Sequence, residues 1–95
     1  MPEMRFKIRW PDGSTESCYS PSLVIKDYFA PGETYALGDF VERSRTALTI
    51  ASDRVRARYG FACSLAEGQI ARIETASRRF ADVYPPNVTI IAFEE

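Results

Sequence analysis

The stretch that decides the fold is LGDFVERSRTALTIASDRVRARY, residues 37–59. Core-type residues recur in it at the three- and four-residue spacing of one helical face. They are Leu37, Phe40, Val41, Ser44, Leu48, Ala51, Val55 and Tyr59. Gly60 follows directly, where a left-handed C-terminal cap carries no Cβ penalty. Asp39 near the start and Arg58 near the end complement the helix dipole. The pattern therefore predicts a helix of about six turns over residues 37–59.

The composition indicates a single α+β domain spanning residues 1–95. A chain of 95 residues suffices for one hydrophobic core, and 45% of its residues are hydrophobic and 26% charged. Its net charge of −1 argues against nucleic-acid binding, because phosphate affinity comes largely from positive charge. No run approaches the ~20 apolar residues of a membrane span. We therefore expect a cytoplasmic protein that binds neither nucleic acid nor membrane.

The residue types also limit the chemistry. The sequence contains no histidine, which removes the commonest general base and metal ligand. Two cysteines are too few for a closed zinc site. No phosphate loop, dinucleotide fingerprint or nucleophile elbow occurs. We expect no cofactor, no metal site and no catalytic residue, and an enzyme is the least favoured reading.

The first twenty residues predict a β-hairpin. Residues 4–10 alternate between apolar and charged side chains, and WPDG at 10–13 is a typical turn sequence. A three-residue loop with a bulge would pair Phe6 with Cys18 on the apolar face. A two-residue loop would instead place Tyr19 on that face. The first register is the preferred prediction.

The rest of the chain predicts two more helices and one strand. A short helix is expected over 22–28, with an extended run as the alternative, and residues 33–36 lead into the long helix. A capping box of Ser64 and Glu67 opens a helix that runs to about residue 81. Residues 87–93 are apolar on both faces and predict an interior strand. The expected fold is α+β in the order ββαααβ, with a three-stranded sheet covered by two long helices and one short helix. The direction of the third strand is left open.

Three blocks carry a family resemblance: MPEMRFKIRWPDG (1–13), SCYSPSLVIKDYF (17–29) and FVERSRTALTIASDRVRARYGFACS (40–64). In them the chain resembles short bacterial proteins described as nitrogen-starvation-response proteins. The resemblance implies a gene neighbourhood with a nitrilase, a radical-SAM protein, an acetyltransferase, a flavoprotein and a glycosyltransferase, and hence a biosynthetic setting. It implies no catalytic residue, ligand or reaction, so no site residue is transferred.

One candidate ligand site lies at the corner after the second strand. There, Cys18, Tyr19 and Ser20 precede Pro21, and backbone donors could hold an anion or a small metabolite. Cys63 is added because it precedes a helix start, where the helix dipole favours a thiolate. The commoner explanation is that Ser20 caps the short helix and both cysteines pack as small apolar side chains.

A candidate interface lies on the far side of the long helix, opposite its core stripe. It consists of Thr46, Ala47, Ile50 and Ala57. A small apolar strip there would suit a subunit or partner contact. The leading hypothesis is thus a non-catalytic accessory protein that binds itself as a homo-oligomer or binds an enzyme of the same gene cluster. The alternative is a small-ligand module using the corner at residues 18–21, followed by an orphan enzyme.

Overall fold

One face of a four-stranded antiparallel sheet carries the helices. The computed structural model describes residues 3–61, 63–84 and 86–95. In chain order the elements are β1 (Met4–Arg9), β2 (Thr15–Ser20), a 3-10 helix (Leu23–Asp27), β3 (Thr34–Ala36), α1 (Leu37–Tyr59), α2 (Ser64–Arg78) and β4 (Asn87–Glu94). The strand order is β2-β1-β4-β3, and all three pairings are antiparallel. The side chains of β1 alternate strictly between buried and exposed, so only one face of the sheet is covered.

The sheet has four strands, and the prediction of three is wrong. Residues 34–36, which were expected to lead into the long helix, form β3 and pair with β4. The edge of β4 would otherwise leave backbone donors and acceptors without partners. Gly32 donates its N–H to Ile90 O (2.7 Å), and Ile90 donates its own to Glu33 O (2.9 Å). A strand of three residues is too short to show a two-residue period, so the sequence pattern did not reveal it.

The predicted hairpin register is confirmed. Phe6 lies opposite Cys18, and Cys18 is buried in the core. Gly13 has φ +90° and donates its N–H to Trp10 O (2.9 Å), which is the backbone conformation that a three-residue loop with a bulge requires. The prediction of an interior last strand is also confirmed, since β4 lies between β1 and β3 and runs antiparallel to both.

Both shorter helices begin differently from the prediction. In the 3-10 helix the capping hydroxyl belongs to Ser22, whose Oγ accepts the N–H of Val24 (3.3 Å). The predicted capping box of α2 does not form. Its N-cap is Cys63, which makes no side-chain capping hydrogen bond, and Ser64 is already the first helical residue. The N–H groups of the first turn of α2 therefore lack the side-chain acceptor that a capping box supplies.

An aromatic cluster joins the sheet to the helices. The buried ring of Trp10 stacks on Phe80 at a centroid distance of 5.3 Å and meets Phe40 edge-on at 5.6 Å. Phe29 extends the cluster through a 5.4 Å contact with Phe40. The indole Nε1–H of Trp10 donates to Glu16 Oε1 (3.0 Å), so the polar atom of the largest core residue is satisfied.

We expect Trp10→Ala to lower the free energy of unfolding by about 3–5 kcal/mol, because the lost ring leaves a cavity against Phe40 and Phe80. Trp10→Phe should lower the free energy of unfolding by less than Trp10→Ala, because it keeps an aromatic ring. It still loses the hydrogen-bond donor to Glu16. Urea denaturation measures both. Tyr84→Ala is the control: the side chain of Tyr84 is 92% exposed, and its truncation should change stability by less than about 0.5 kcal/mol. A Trp10→Ala midpoint equal to that of the control would contradict the packing described.

Candidate functional site

Two of the three residues in the predicted corner site, Cys18 and Ser20, are inaccessible to a ligand. Cys18 and Ser20 are fully buried, because alternate residues of β2 point into the core. The hydroxyl of Ser20 donates to Ser22 O (2.7 Å), which fixes the path of the chain into the 3-10 helix. Tyr19, on the opposite face of the strand, is half-buried. Of these three residues, only Tyr19 offers a surface to a ligand.

Tyr19 lines a cleft between β2 and the start of α2. The cleft has a volume of about 600 Å³ and is lined by Glu3, Arg5, Tyr19, Ser64, Leu65, Gly68, Gln69 and Arg72. Cys63 is half-buried and immediately precedes Ser64. Of the predicted site residues only Tyr19 lines this cleft, and its other lining residues were not predicted.

The Tyr19 wall combines an aromatic ring with a cation. Burial raises the pKa of Tyr19 to about 12, and the hydrogen bond that its hydroxyl donates to Glu3 (3.0 Å) acts in the same direction. The phenol is therefore neutral at physiological pH and is a poor nucleophile. The guanidinium group of Arg5 lies 5.8 Å from the ring centroid, within cation–π range. The Tyr19 phenol can therefore bind and orient a ligand but does not itself act as a base.

Gln69 is the unusual residue of the cleft. Its side chain is only 8% exposed, and its Oε1 accepts the backbone N–H of Tyr19 (3.0 Å). Because that N–H can only donate, the atom that accepts from it must be the carboxamide oxygen, which fixes the assignment of Oε1 and Nε2. Nε2 has no hydrogen-bond partner in the described part of the chain. A buried donor of this kind costs stability unless another group accepts from it.

The sequence does mark Gln69, as a polar residue at a core position of α2, but the search for apolar spacing did not identify it. The buried residues of α2 are Ala66, Gln69, Ile73 and Ala76, so the amide lies on the core stripe at helical spacing. A polar residue at such a position requires a partner. Gln69 meets part of this requirement, because its Oε1 accepts the N–H of Tyr19 at the outer edge of β2. This hydrogen bond also blocks pairing of that edge with another strand.

The predicted interface on the back of α1 is not a continuous exposed strip. Ala47 is fully buried, and Ile50 is half-buried against the core, while Thr46 and Ala57 are exposed. The reason is that α1 packs against α2 as well as the sheet side of the core, so more than one of its faces is covered. An ion pair between Arg45 and Glu74 (2.5 Å) also links the two helices.

The exposed apolar surface lies instead at the connection between α1 and α2. We call the exposed side chains Tyr59, Phe61 and Leu65 the apolar tip; they are 53%, 71% and 65% exposed. The chain leaves the core at Ser52 and returns at Cys63, whose N–H donates to Ser52 Oγ (3.2 Å). The last turn of α1, residues 56–59, is fully exposed and extends beyond the core.

The two cysteines should differ sharply in reactivity. Burial raises the pKa of the Cys18 thiol, and its side chain is inaccessible, whereas Cys63 is half-buried. Since the thiolate is the reacting species, a disulfide reagent such as Ellman's should modify one thiol in the folded protein. Cys63→Ser should abolish this reaction, and Cys18→Ser should leave it unchanged. Two rapidly reacting thiols without denaturant would contradict the burial of Cys18.

Comparison with known protein families gives a match that covers almost every element of the fold. The family model described as "Nitrogen starvation-induced protein NitG" matches residues 5–93, from β1 to β4. Searches of curated proteins and of solved structures give no significant match. In the described ranges no helix combines the length and apolarity needed to cross a membrane. The resemblance carried by the three sequence blocks is thus confirmed at the level of the family, and the chain belongs to the nitrogen starvation-induced protein NitG family.

Proposed function

We propose that the chain is a non-catalytic accessory protein of the nitrogen-starvation response that docks on a partner enzyme through the apolar tip. One observation carries the proposal. In the described part of the chain four large apolar side chains are exposed, and three of them are Tyr59, Phe61 and Leu65. Single exposed apolar residues are ordinary, but a cluster at a projecting end is typical of an interaction site.

The charges around the tip indicate the chemistry of the partner. Arg56 and Arg58, in the last turn of α1, are both exposed, and the guanidinium group of Arg58 lies 5.8 Å from the ring centroid of Tyr59. An apolar centre surrounded by arginines is complementary to an apolar pocket on a partner protein with acidic residues at its rim. Arginine binds carboxylates in bidentate geometry. The partner surface should therefore be apolar at its centre and acidic at its rim.

The same charges argue against a second copy of this chain as the occupant. A symmetric dimer through the tip would place Arg56 and Arg58 of one copy near those of the other, and like charges across an interface are unfavourable. We therefore favour a different protein. The nitrilase of the gene neighbourhood that the family resemblance implies is the first partner to test. Ala57, from the predicted interface, lies in the same projecting turn and would adjoin this contact.

The decisive variant is Phe61→Ser, which removes the most exposed side chain of the tip. Since Phe61 packs against little of its own chain, the substitution should leave thermal stability nearly unchanged. It should reduce binding to the nitrilase at least tenfold, about the loss expected for truncating an aromatic residue central to an interface. Sedimentation velocity of the mixture measures the complex. Tyr84→Ser is the matched control, because Tyr84 is equally aromatic and exposed but lies outside the tip.

A second experiment tests the role of the arginines beside the apolar tip, Arg56 and Arg58. Arg56→Glu should weaken the complex, and the wild-type complex should weaken with rising salt, because rim charges act largely through screened electrostatics. Arg9→Glu makes the same charge change on the outer face of the sheet and should have no effect. Wild-type protein that sediments alone in the mixture would overturn the assigned partner. Dimers of the chain alone that Phe61→Ser abolishes would assign the tip to self-association instead.

A further inference from the structure

One face of the sheet is not covered by the helices, and a row of positive charges runs along it. The row consists of Arg5, Lys7 and Arg9, which are exposed because β1 alternates strictly between core and solvent. β1 pairs with β2 on one side and with β4 on the other, so the row lies in the interior of the face and not at an edge. Alternate residues of a strand are about 6.6 Å apart. We call these three residues the cationic row.

The strands on either side supply little negative charge to the cationic row. All four cross-strand neighbours of Lys7 and Arg9 are uncharged; they are Ser17, Thr15, Ala92 and Thr89. Glu94 lies opposite Arg5, at the end of the row. In the described ranges neither Lys7 nor Arg9 forms an ion pair with a carboxylate. Cross-strand pairs of opposite charge stabilise exposed sheet faces, and this face lacks them at two of its three cations.

The cationic row is therefore a surface whose charge the fold leaves unbalanced. Like charges repel one another, and neighbouring members of the row lie within the Debye length of about 8 Å at physiological ionic strength. Beside the row, the exposed side chains of Thr15 and Ser17 carry hydroxyl groups that can donate hydrogen bonds to an anion. An anionic partner would relieve the repulsion and accept from these hydroxyls.

The spacing of the row favours an extended peptide as that partner. Every second side chain of an extended peptide projects to the same side, with the same repeat as the side chains of β1. Alternate carboxylates of an acidic segment lying along β1 can therefore meet Arg5, Lys7 and Arg9 one for one, in charge-assisted hydrogen bonds. We propose that the cationic row binds an extended acidic segment of a protein other than the partner at the apolar tip.

Two other occupants fit the face less well. A second copy of this chain, placed face to face, would bring two cationic rows together, which is unfavourable. A single-stranded nucleic acid would need exposed aromatic rings on which its bases stack. The ring beside the row, that of Tyr19, is half-buried and lies 5.8 Å from the guanidinium group of Arg5. The whole chain carries a net charge of −1, so its surface outside the row is net negative and would repel a polyanion longer than the row.

The test uses synthetic peptides and the full chain labelled with ¹⁵N. At low ionic strength, a twelve-residue peptide of alternating glutamate and serine should shift the backbone amide resonances of Lys7, Ser17 and Thr89. A peptide with glutamine in place of every glutamate should shift none of them. Raising the salt concentration to about 1 M should abolish the shifts, because the Debye length is then only about 3 Å.

Lys7→Glu reverses the central charge of the row. It should lower the affinity for the acidic peptide at least about threefold, because it removes one exposed ion pair and adds a repulsion. It should not lower the thermal unfolding midpoint, since the new carboxylate lies between two arginines, whereas a merely structural role for Lys7 would lower it. Arg78→Glu is the control. It makes the same charge change at an exposed residue of α2 and should leave the affinity unchanged.

Three results with the peptides would overturn the proposal. They are an absence of shifts with the acidic peptide, equal shifts with the glutamine peptide, and an affinity of Lys7→Glu no lower than that of Arg78→Glu. Tighter binding of a twelve-nucleotide oligothymidylate, or of phosphatidylglycerol vesicles, would assign the face to nucleic acid or to a membrane instead. Phe61→Ser, which alters the apolar tip alone, should bind the acidic peptide as the wild type does. The cationic row and the tip are therefore tested separately.

Discussion

The position of the Trp10 ring between Phe40 and Phe80 is the constraint on which the rest of the structure depends. The ring is buried, and its N–H would be costly there without an acceptor. The acceptor, Glu16, comes from the partner strand opposite Ile8, a pairing that the turn at Gly13 fixes. A slip of one residue would turn the side chain of Glu16 to the outer face and move Cys18 out of the core. The conformation of this one turn therefore sets the strand register and places Glu16 where it accepts the N–H of the buried Trp10.

The parts of the fold that the sequence predicted are those with a repeated local signal. The bounds of α1, Leu37–Tyr59, follow from its apolar spacing and from Gly60, which adopts φ +87° as the cap. The hairpin follows from strict alternation and a specific turn. β3 lacked such a signal, because its three residues pair only in response to the open edge of β4. The start of α2 also differed: Ser64 and Glu67 have the residue types of a capping box, but the helix begins one residue earlier.

The site was predicted in part, and the failures have a simple geometric cause. Three consecutive strand residues cannot all face one ligand, since neighbours point to opposite faces. Cys18 and Ser20 are accordingly buried and Tyr19 is not, which the hairpin register already implied. That Tyr19 lines a cleft with Gln69 and Arg72 depends on α2 lying beside β2, a tertiary arrangement that no local pattern specifies. Gln69 was detectable as a polar residue on an apolar stripe, but its partner, the N–H of Tyr19, lies fifty positions away in sequence.

The end of α1 and the start of α2 have one physical feature in common, because each leaves groups that the core does not fully support. The core contacts of α1 are complete at Ser52, where the returning chain is anchored by Cys63. The turns beyond it are supported by the hydrogen bond that Arg54 Nη1 donates to Ser22 Oγ (3.1 Å), by the cation–π contact of Arg58 with Tyr59 and by the glycine cap. An isolated extension of this kind is marginal in water, since helices gain most of their stability from packing. The start of α2 likewise stays uncapped although a serine is adjacent, and Gln69 keeps a buried donor without an acceptor. The uncapped first turn of α2 and the unpaired Nε2 of Gln69 therefore reduce the stability of the folded chain.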